Sequence, residues 1–105
     1  MVENILGFAL KDIINVDIEE LLFMSYIDAM LSYNKSKKEW IDGDQYVWVC
    51  YDTFLKAYLC IGRSKRSFRE KIQRLCTKGY IQIAVVRKGG TYSYFAKGIK
   101  FPKRY

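Results

Sequence analysis

The stretch from Ser64 to Thr91, SKRSFREKIQRLCTKGYIQIAVVRKGGT, leaves this chain few ways to fold. Phe68, Ile72, Leu75 and Cys76 stand at i, i+4, i+7 and i+8, which makes a single apolar stripe on a helix. Lys65, Arg69 and Gln73 line a separate face at steps of four. Gly79 follows Lys78 where a residue in the left-handed conformation would end that helix. The next run, Tyr80-Ile-Gln-Ile-Ala-Val-Val, has the β-branched and aromatic content of a strand. Gly89-Gly90 then turns the chain into another strand. The spacing predicts a short basic helix followed at once by a hairpin, and a helix with one apolar stripe must bury it against other elements. With Ser64 as N-cap, Lys65, Arg66 and Ser67 fill the first turn, where unpaired N–H groups and the positive end of the dipole suit a phosphate.

Charge is divided along the chain. Residues 56–105 carry 14 Lys and Arg against one acid, Glu70, whereas residues 1–55 carry 4 against 10, for a net +7 over the whole. A cationic half of this kind points to a polyanion as partner, nucleic acid or an anionic surface. The 105 residues suit one compact domain, and half of them are apolar, which argues against a disordered tail. The longest apolar run, YVWVCY, is far short of the roughly 20 residues of a membrane span. Lys11 and Asp12 break the first apolar patch and no small-residue cleavage site follows, so no signal peptide is read and a cytoplasmic setting is expected. Cys50, Cys60 and Cys76 are an odd set without a CxxC pair, and histidine is absent. Reduced, mostly buried thiols are expected, with no metal and no cofactor. Without histidine, a Gly-rich Lys-Ser/Thr loop or a carboxylate pair at shared-site spacing, catalysis has no support, and the chain is read as a non-enzyme.

The opening VENILGFALKDIIN alternates at Leu6, Phe8 and Leu10 and is read as an extended segment pairing with a neighbour, a second copy of the chain being one such neighbour. Asp17 as N-cap, Glu19 and Glu20 in the first turn, and Ile18, Leu21, Leu22, Ile27, Met30 and Leu31 at helical spacing predict helix one over about 17–33. Phe23, Met24 and Tyr26 fall partly outside that stripe. Either a homodimer or burial under the N-terminal segment would use the excess. NKSKKEWIDGDQ, Asn34 to Gln45, is read as a polar loop with an Asp-Gly turn, pinned by Trp40 and Ile41. Tyr46 to Cys50 reads as a strand, and Tyr51, Phe54, Leu55, Tyr58 and Leu59 as a second helix of about nine residues with a weak cap at Cys50 or Tyr51. Cys60 to Arg63 forms a tight connection.

The order is helix, strand, helix, tight turn, basic helix, strand, Gly-Gly, strand. Residues 46–97 resemble the winged helix-turn-helix family: strand, supporting helix, recognition helix and hairpin wing, closing on Leu75, Gly79, Tyr80 and Ile81. Within that family the chain looks most like small proteins of plasmids and phages of low-GC Gram-positive bacteria. These include replication initiators, replisome organisers and accessory factors binding an origin of transfer in conjugation. The resemblance implies an α+β fold of three helices with a small antiparallel sheet and a hairpin wing. It makes residues 1–105 one domain, with an extension over 1–16, a core over 17–97 and a basic tail over 98–105. It further implies sequence-specific binding of double-stranded DNA as a homodimer, in company with other replication or transfer proteins. A transcriptional repressor or a protein-interaction adaptor of the same fold are the alternatives.

Helix-turn-helix proteins lay the second helix of the pair in the major groove. By the resemblance Lys65, Arg66, Arg69 and Gln73 would face bases, since Arg can pair guanine O6 and N7 and Gln adenine N6 and N7. The wing would offer Arg87, Lys88, the backbone of Gly89 and Gly90, and Thr91 to the phosphate backbone or a minor groove. Tyr92 shares a strand face with Tyr94, and Lys97, Lys100, Lys103 and Arg104 look like backbone anchors. Lys71, Arg74 and Lys78, on the back of the helix, are expected to be solvated, with a Glu70–Arg74 pair worth about 0.2–0.5 kcal/mol.

Overall fold

The computed structural model of the chain describes residues 4–5, 8–9, 16–57 and 65–102. In chain order the elements are β1 (Asn4–Ile5), β2 (Phe8–Ala9), α1 (Ile18–Ser32), β3 (Lys38–Ile41), β4 (Asp44–Trp48), α2 (Tyr51–Ala57), α3 (Lys65–Thr77), β5 (Ile81–Arg87) and β6 (Thr91–Lys97). The architecture is α+β, with three helices packed on one face of a four-stranded antiparallel sheet of order β3-β4-β6-β5. None of the described helices is long and apolar enough to cross a membrane.

Helix α1 starts where its sequence chemistry puts the start. The Asp17 carboxylate accepts the Glu20 N–H at 2.8 Å, and the Glu20 carboxylate accepts the Asp17 N–H at 3.1 Å, a reciprocal capping box. Its wide apolar circumference is used inside the chain. Phe23 is fully buried, with the rings of Phe54, Phe68 and Phe95 edge-on to it at 5.1, 5.4 and 5.1 Å. One side chain thereby joins α1, α2, α3 and β6, and each such ring pair adds about 0.5–1.5 kcal/mol beyond its buried area. Phe8 also has no exposure and meets Phe101 edge-on at 5.7 Å. The opening segment is extended at its described residues but pairs within itself, Asn4 opposite Ala9 and Ile5 opposite Phe8. The excess apolar surface that suggested a second copy along α1 is therefore largely consumed by the core.

The polar loop expected over Asn34 to Gln45 is instead half of a hairpin. Lys38–Ile41 pairs with Asp44–Trp48 across Asp42 and Gly43, whose φ values of 51° and 87° are the two left-handed residues a two-residue hairpin turn requires. The strand expected at 46–50 accordingly begins earlier and stops at Trp48. Trp40 does not pin this segment to the body; it is 72% exposed.

Helix α3 ends as expected. Gly79 takes φ 88°, its N–H donates to the Cys76 carbonyl at 3.0 Å, and the Tyr80 N–H donates to the Leu75 carbonyl at 3.1 Å. Gly98 passes so close to this connection that a Cβ there would lie 2.3 Å from the Gly79 carbonyl oxygen. The Gly98 N–H donates to Tyr80 and the Lys100 N–H to Gly79, both at 2.9 Å, so the start of the basic tail is tied to the body. On the helix side of the sheet lie Val47, Val49, Ile81, Ile83 and Phe95; the opposite face carries Tyr46, Trp48, Tyr92, Tyr94 and Val86.

Candidate nucleic-acid interface

Helix α3 is anchored on one flank and open on the other. Phe68, Ile72 and Leu75 have no exposure. Lys71, expected to be solvated, is 8% exposed, and its ammonium donates to the Asp17 carboxylate at 2.6 Å and to the Glu19 carboxylate at 3.1 Å. The physical reason is the capping chemistry of α1, which gathers carboxylates at its N-terminus against this flank of α3. For Lys71, burial alone would lower the pKa, but the hydrogen bonds and charges of Asp17 and Glu19 outweigh it and hold the ammonium above its ordinary value. Burial likewise acts to raise the Asp17 carboxyl, and the Lys71 and Glu20 hydrogen bonds overcome that and hold it below 3.8.

The open flank of α3 faces the β5–β6 hairpin across a groove of about 530 Å³. Arg69 and Gln73, one turn apart, form one side, while Ile83, Val85, Thr91 and Ser93 form the other, and Cys50 and Tyr51 close the end beside α2. No acid lines it. The Arg69 guanidinium lies 5.8 Å from the centre of the Tyr51 ring. That ring is itself fixed by Phe23, Phe68 and Phe95 at 6.1, 6.0 and 5.8 Å. Burial pushes the Tyr51 hydroxyl up to about 12, with the Arg69 charge pulling the other way, so it stays a neutral phenol. Arg69 is thus a cation seated on a core-held platform, which limits the freedom it would lose on binding a ligand. Cys50, expected as a weak cap, does cap α2: its carbonyl accepts the Phe54 N–H at 3.1 Å, and the Thr53 N–H held by its thiol lowers the thiol's pKa. Cys50 and Cys76 are half-buried free thiols, and Cys60 lies outside the described residues. Among the described residues no three His, Cys, Asp or Glu gather as a metal ion would need.

The other expected site residues scatter. Arg66 projects into solvent, its side chain 91% exposed and 3.9 Å from Glu70. Glu70 thus sits near Arg66 and not near Arg74 as expected, and so exposed a pair contributes next to nothing. Ser67 is exposed on the same first turn. Ser64 and the Lys65 side chain lie outside the described residues, as do Lys103 and Arg104 and the connection over 58–64. At the tip of the β5–β6 hairpin, Arg87 stands opposite Thr91 on the helix-side face, whereas Lys88 turns to the other face, its ammonium 3.1 Å from Glu39. Gly89 supplies the φ of 70° the tip needs, and Gly90 packs against the Tyr92 hydroxyl, 3.3 Å from where a Cβ would sit. Tyr92 borders the groove, but its ring lies on the far face, with Lys37 5.2 Å above it and Trp48 at 6.0 Å; Tyr94 beside it is buried. Lys97 is at the end of β6 away from the tip, 2.6 Å from Asp28 and over the Phe101 ring. What the structure brings together, then, is Arg69, Gln73 and Thr91, joined by Tyr51 and Ser93. The last two carried no separate signal, although Ser93 shares the strand face of Thr91 by simple alternation. No sequence model of a protein family, no curated protein and no solved structure matches the chain.

Proposed function

We propose that this chain is a winged helix-turn-helix protein that binds double-stranded DNA sequence-selectively through the groove between α3 and the β5–β6 hairpin. The observation that carries the reading is the convergence of Arg69, Gln73 and Thr91 on one groove that no acid lines among the described residues. The order α1, β4, α2, α3, β5, β6, with β6 between β4 and β5, supports it, because it matches the helix, strand, supporting helix, basic helix and hairpin of that family. In mechanism, α3 enters a major groove, which is about 12 Å wide and admits one helix. Arg69 offers its two-pronged guanidinium to guanine O6 and N7, and Gln73 its amide to adenine N6 and N7, each such pair discriminating by about 1–3 kcal/mol. Arg87 and the backbone of Gly89 and Gly90 hold phosphates and set the register.

On this reading the protein is a cytoplasmic accessory factor of a mobile element that marks an origin of transfer or replication. The resemblance to plasmid and phage proteins supports that role, and a repressor would use the same contacts. Selection from random duplex DNA, followed by salt titration of the enriched and a scrambled site, tests it. One enriched motif, preferred by roughly 10³-fold or more, is the expected result. No enrichment, with both duplexes released together as salt rises, would overturn sequence reading and leave only an electrostatic grip.

A further inference from the structure

Strand β3 is a free edge of the sheet, and its register decides which of its backbone groups are unused. The Trp48 N–H donates to the Lys37 carbonyl at 2.9 Å, and Ile41 opposite Asp44 closes the two-residue turn, so residues 37, 39 and 41 bond to β4. The N–H and C=O groups of Lys38 and Trp40 therefore point away from the sheet. On this edge stands Trp40, 72% exposed, the most exposed aromatic side chain among the described residues.

We propose that a second copy of this chain docks here, its β3 adding antiparallel to β3 so that Trp40 stands opposite Trp40 of the second copy. Charge selects this register over those centred on Glu39 or Lys38. Centred on Trp40, the pairing sets Glu39 opposite Ile41 of the second copy and brings Lys38, at each end of the ladder, beside the turn residue Asp42 of the second copy. Centred on Glu39 it sets that acid opposite itself, and centred on Lys38 that cation opposite itself. Directly opposed side chains lie about 4.5–5.5 Å apart at Cβ, where like charges destabilise the pair. Trp40 supplies the apolar anchor, a residue type enriched among those that dominate interface energy. The other free edge, β5, exposes Val85 but ends on Arg87 and carries no acid to answer it in a second copy.

Two copies joined this way share an eight-stranded sheet with both helix layers on one face, and the grooves beside α3, at the opposite edges, stay open. The assembly is independent of the DNA reading and forms without DNA. Sedimentation velocity of the full chain, free of DNA and up to hundreds of micromolar, tests it. Wild type is expected to dimerise and Trp40→Ala to weaken the dimer roughly tenfold or more. Asp42→Asn, which keeps a residue tolerant of the left-handed conformation, is expected to weaken it a few-fold and to flatten its salt dependence; Val85→Lys is expected to leave it unchanged. A monomeric wild type, a dimer indifferent to both Trp40→Ala and Asp42→Asn, or one lost on Val85→Lys would overturn the proposal.

Discussion

Replacing Lys71 by Met keeps the buried stem and removes only the ammonium, which isolates the link between the back of α3 and the start of α1. Two bonds are lost, at 2.6 Å to Asp17 and 3.1 Å to Glu19. A hydrogen bond to a charged group contributes about 1.5–3 kcal/mol net. The Asp17 side chain is 43% exposed, so water replaces much of its bond, whereas Glu19, at 15%, is poorly served by solvent. The expected loss is about 2–3 kcal/mol, below the roughly 3–5 kcal/mol for breaking a fully buried pair. In a domain of this size that lowers the thermal midpoint by roughly 10 °C or more. The pH dependence follows from the two shifts. Asp17 is held below its ordinary 3.8, so its contribution is present above that value and is lost as pH falls through the folded pKa. Lys71 is held above 10.5, so its contribution is present below that value and is lost as pH rises through the folded pKa. Urea unfolding of wild type and Lys71→Met is expected to differ by a constant amount between about pH 5 and 10, and by less as pH falls through the folded pKa of Asp17. Equal stability at pH 7, or an undiminished difference in acid, would refute the ion-pair argument and leave Lys71 as mere packing.

Three further outcomes are expected. Arg69→Ala with Gln73→Ala should abolish preference for the selected motif while leaving the melting temperature within a few degrees, as read by competition binding and calorimetry, because both side chains line the groove and neither supports the core. Arg87→Ala should lower the slope of log affinity against log salt by about 0.9, whereas Lys88→Ala and Lys97→Ala should change it little, their charges being answered by Glu39 and Asp28. Gly98→Ala should destabilise the fold by about 2 kcal/mol or more in denaturant titration, since its Cβ would meet backbone, which cannot rotate out of the way.

Local chemistry was legible wherever a residue type solves a backbone problem by itself. Asp17 caps α1, Gly79 ends α3, and the glycines at the wing tip turn β5 into β6, because caps and left-handed positions are decided within a few residues. The stripe of Phe68, Ile72 and Leu75 likewise revealed which side of α3 is buried. Features that depend on a distant partner were not legible. Lys38 and Glu39 are polar enough to read as loop, and only the ladder to β4 makes them a strand. Lys71 is indistinguishable from Arg74 or Lys78 until the carboxylates of α1, some fifty residues upstream, are placed against it. At the site, helical spacing was enough to pair Arg69 with Gln73, but Tyr51 reached the groove through the packing of α2, which no spacing within α3 encodes.

The division of charge along the chain is partly closed on folding by ion pairs between its two halves. Four Lys–carboxylate bridges join a lysine of the cationic half to an acid of the acidic half: Lys71 to Asp17 and Glu19, Lys88 to Glu39, Lys97 to Asp28. All of these lie off the groove beside α3, on the flank against α1, the far face of the wing and the distal end of β6. Four of the ten acids of residues 1–55, Asp17, Glu19, Asp28 and Glu39, are thus paired with lysines that lie off the groove. Arg69 in the groove and Arg87 at its wing end are not among the cations so neutralised. A net charge of +7 spread evenly would favour contact with a polyanion from any side. On the proposed DNA reading, pairing Lys71, Lys88 and Lys97 with acids weakens phosphate contact at those three places and favours approach by the groove.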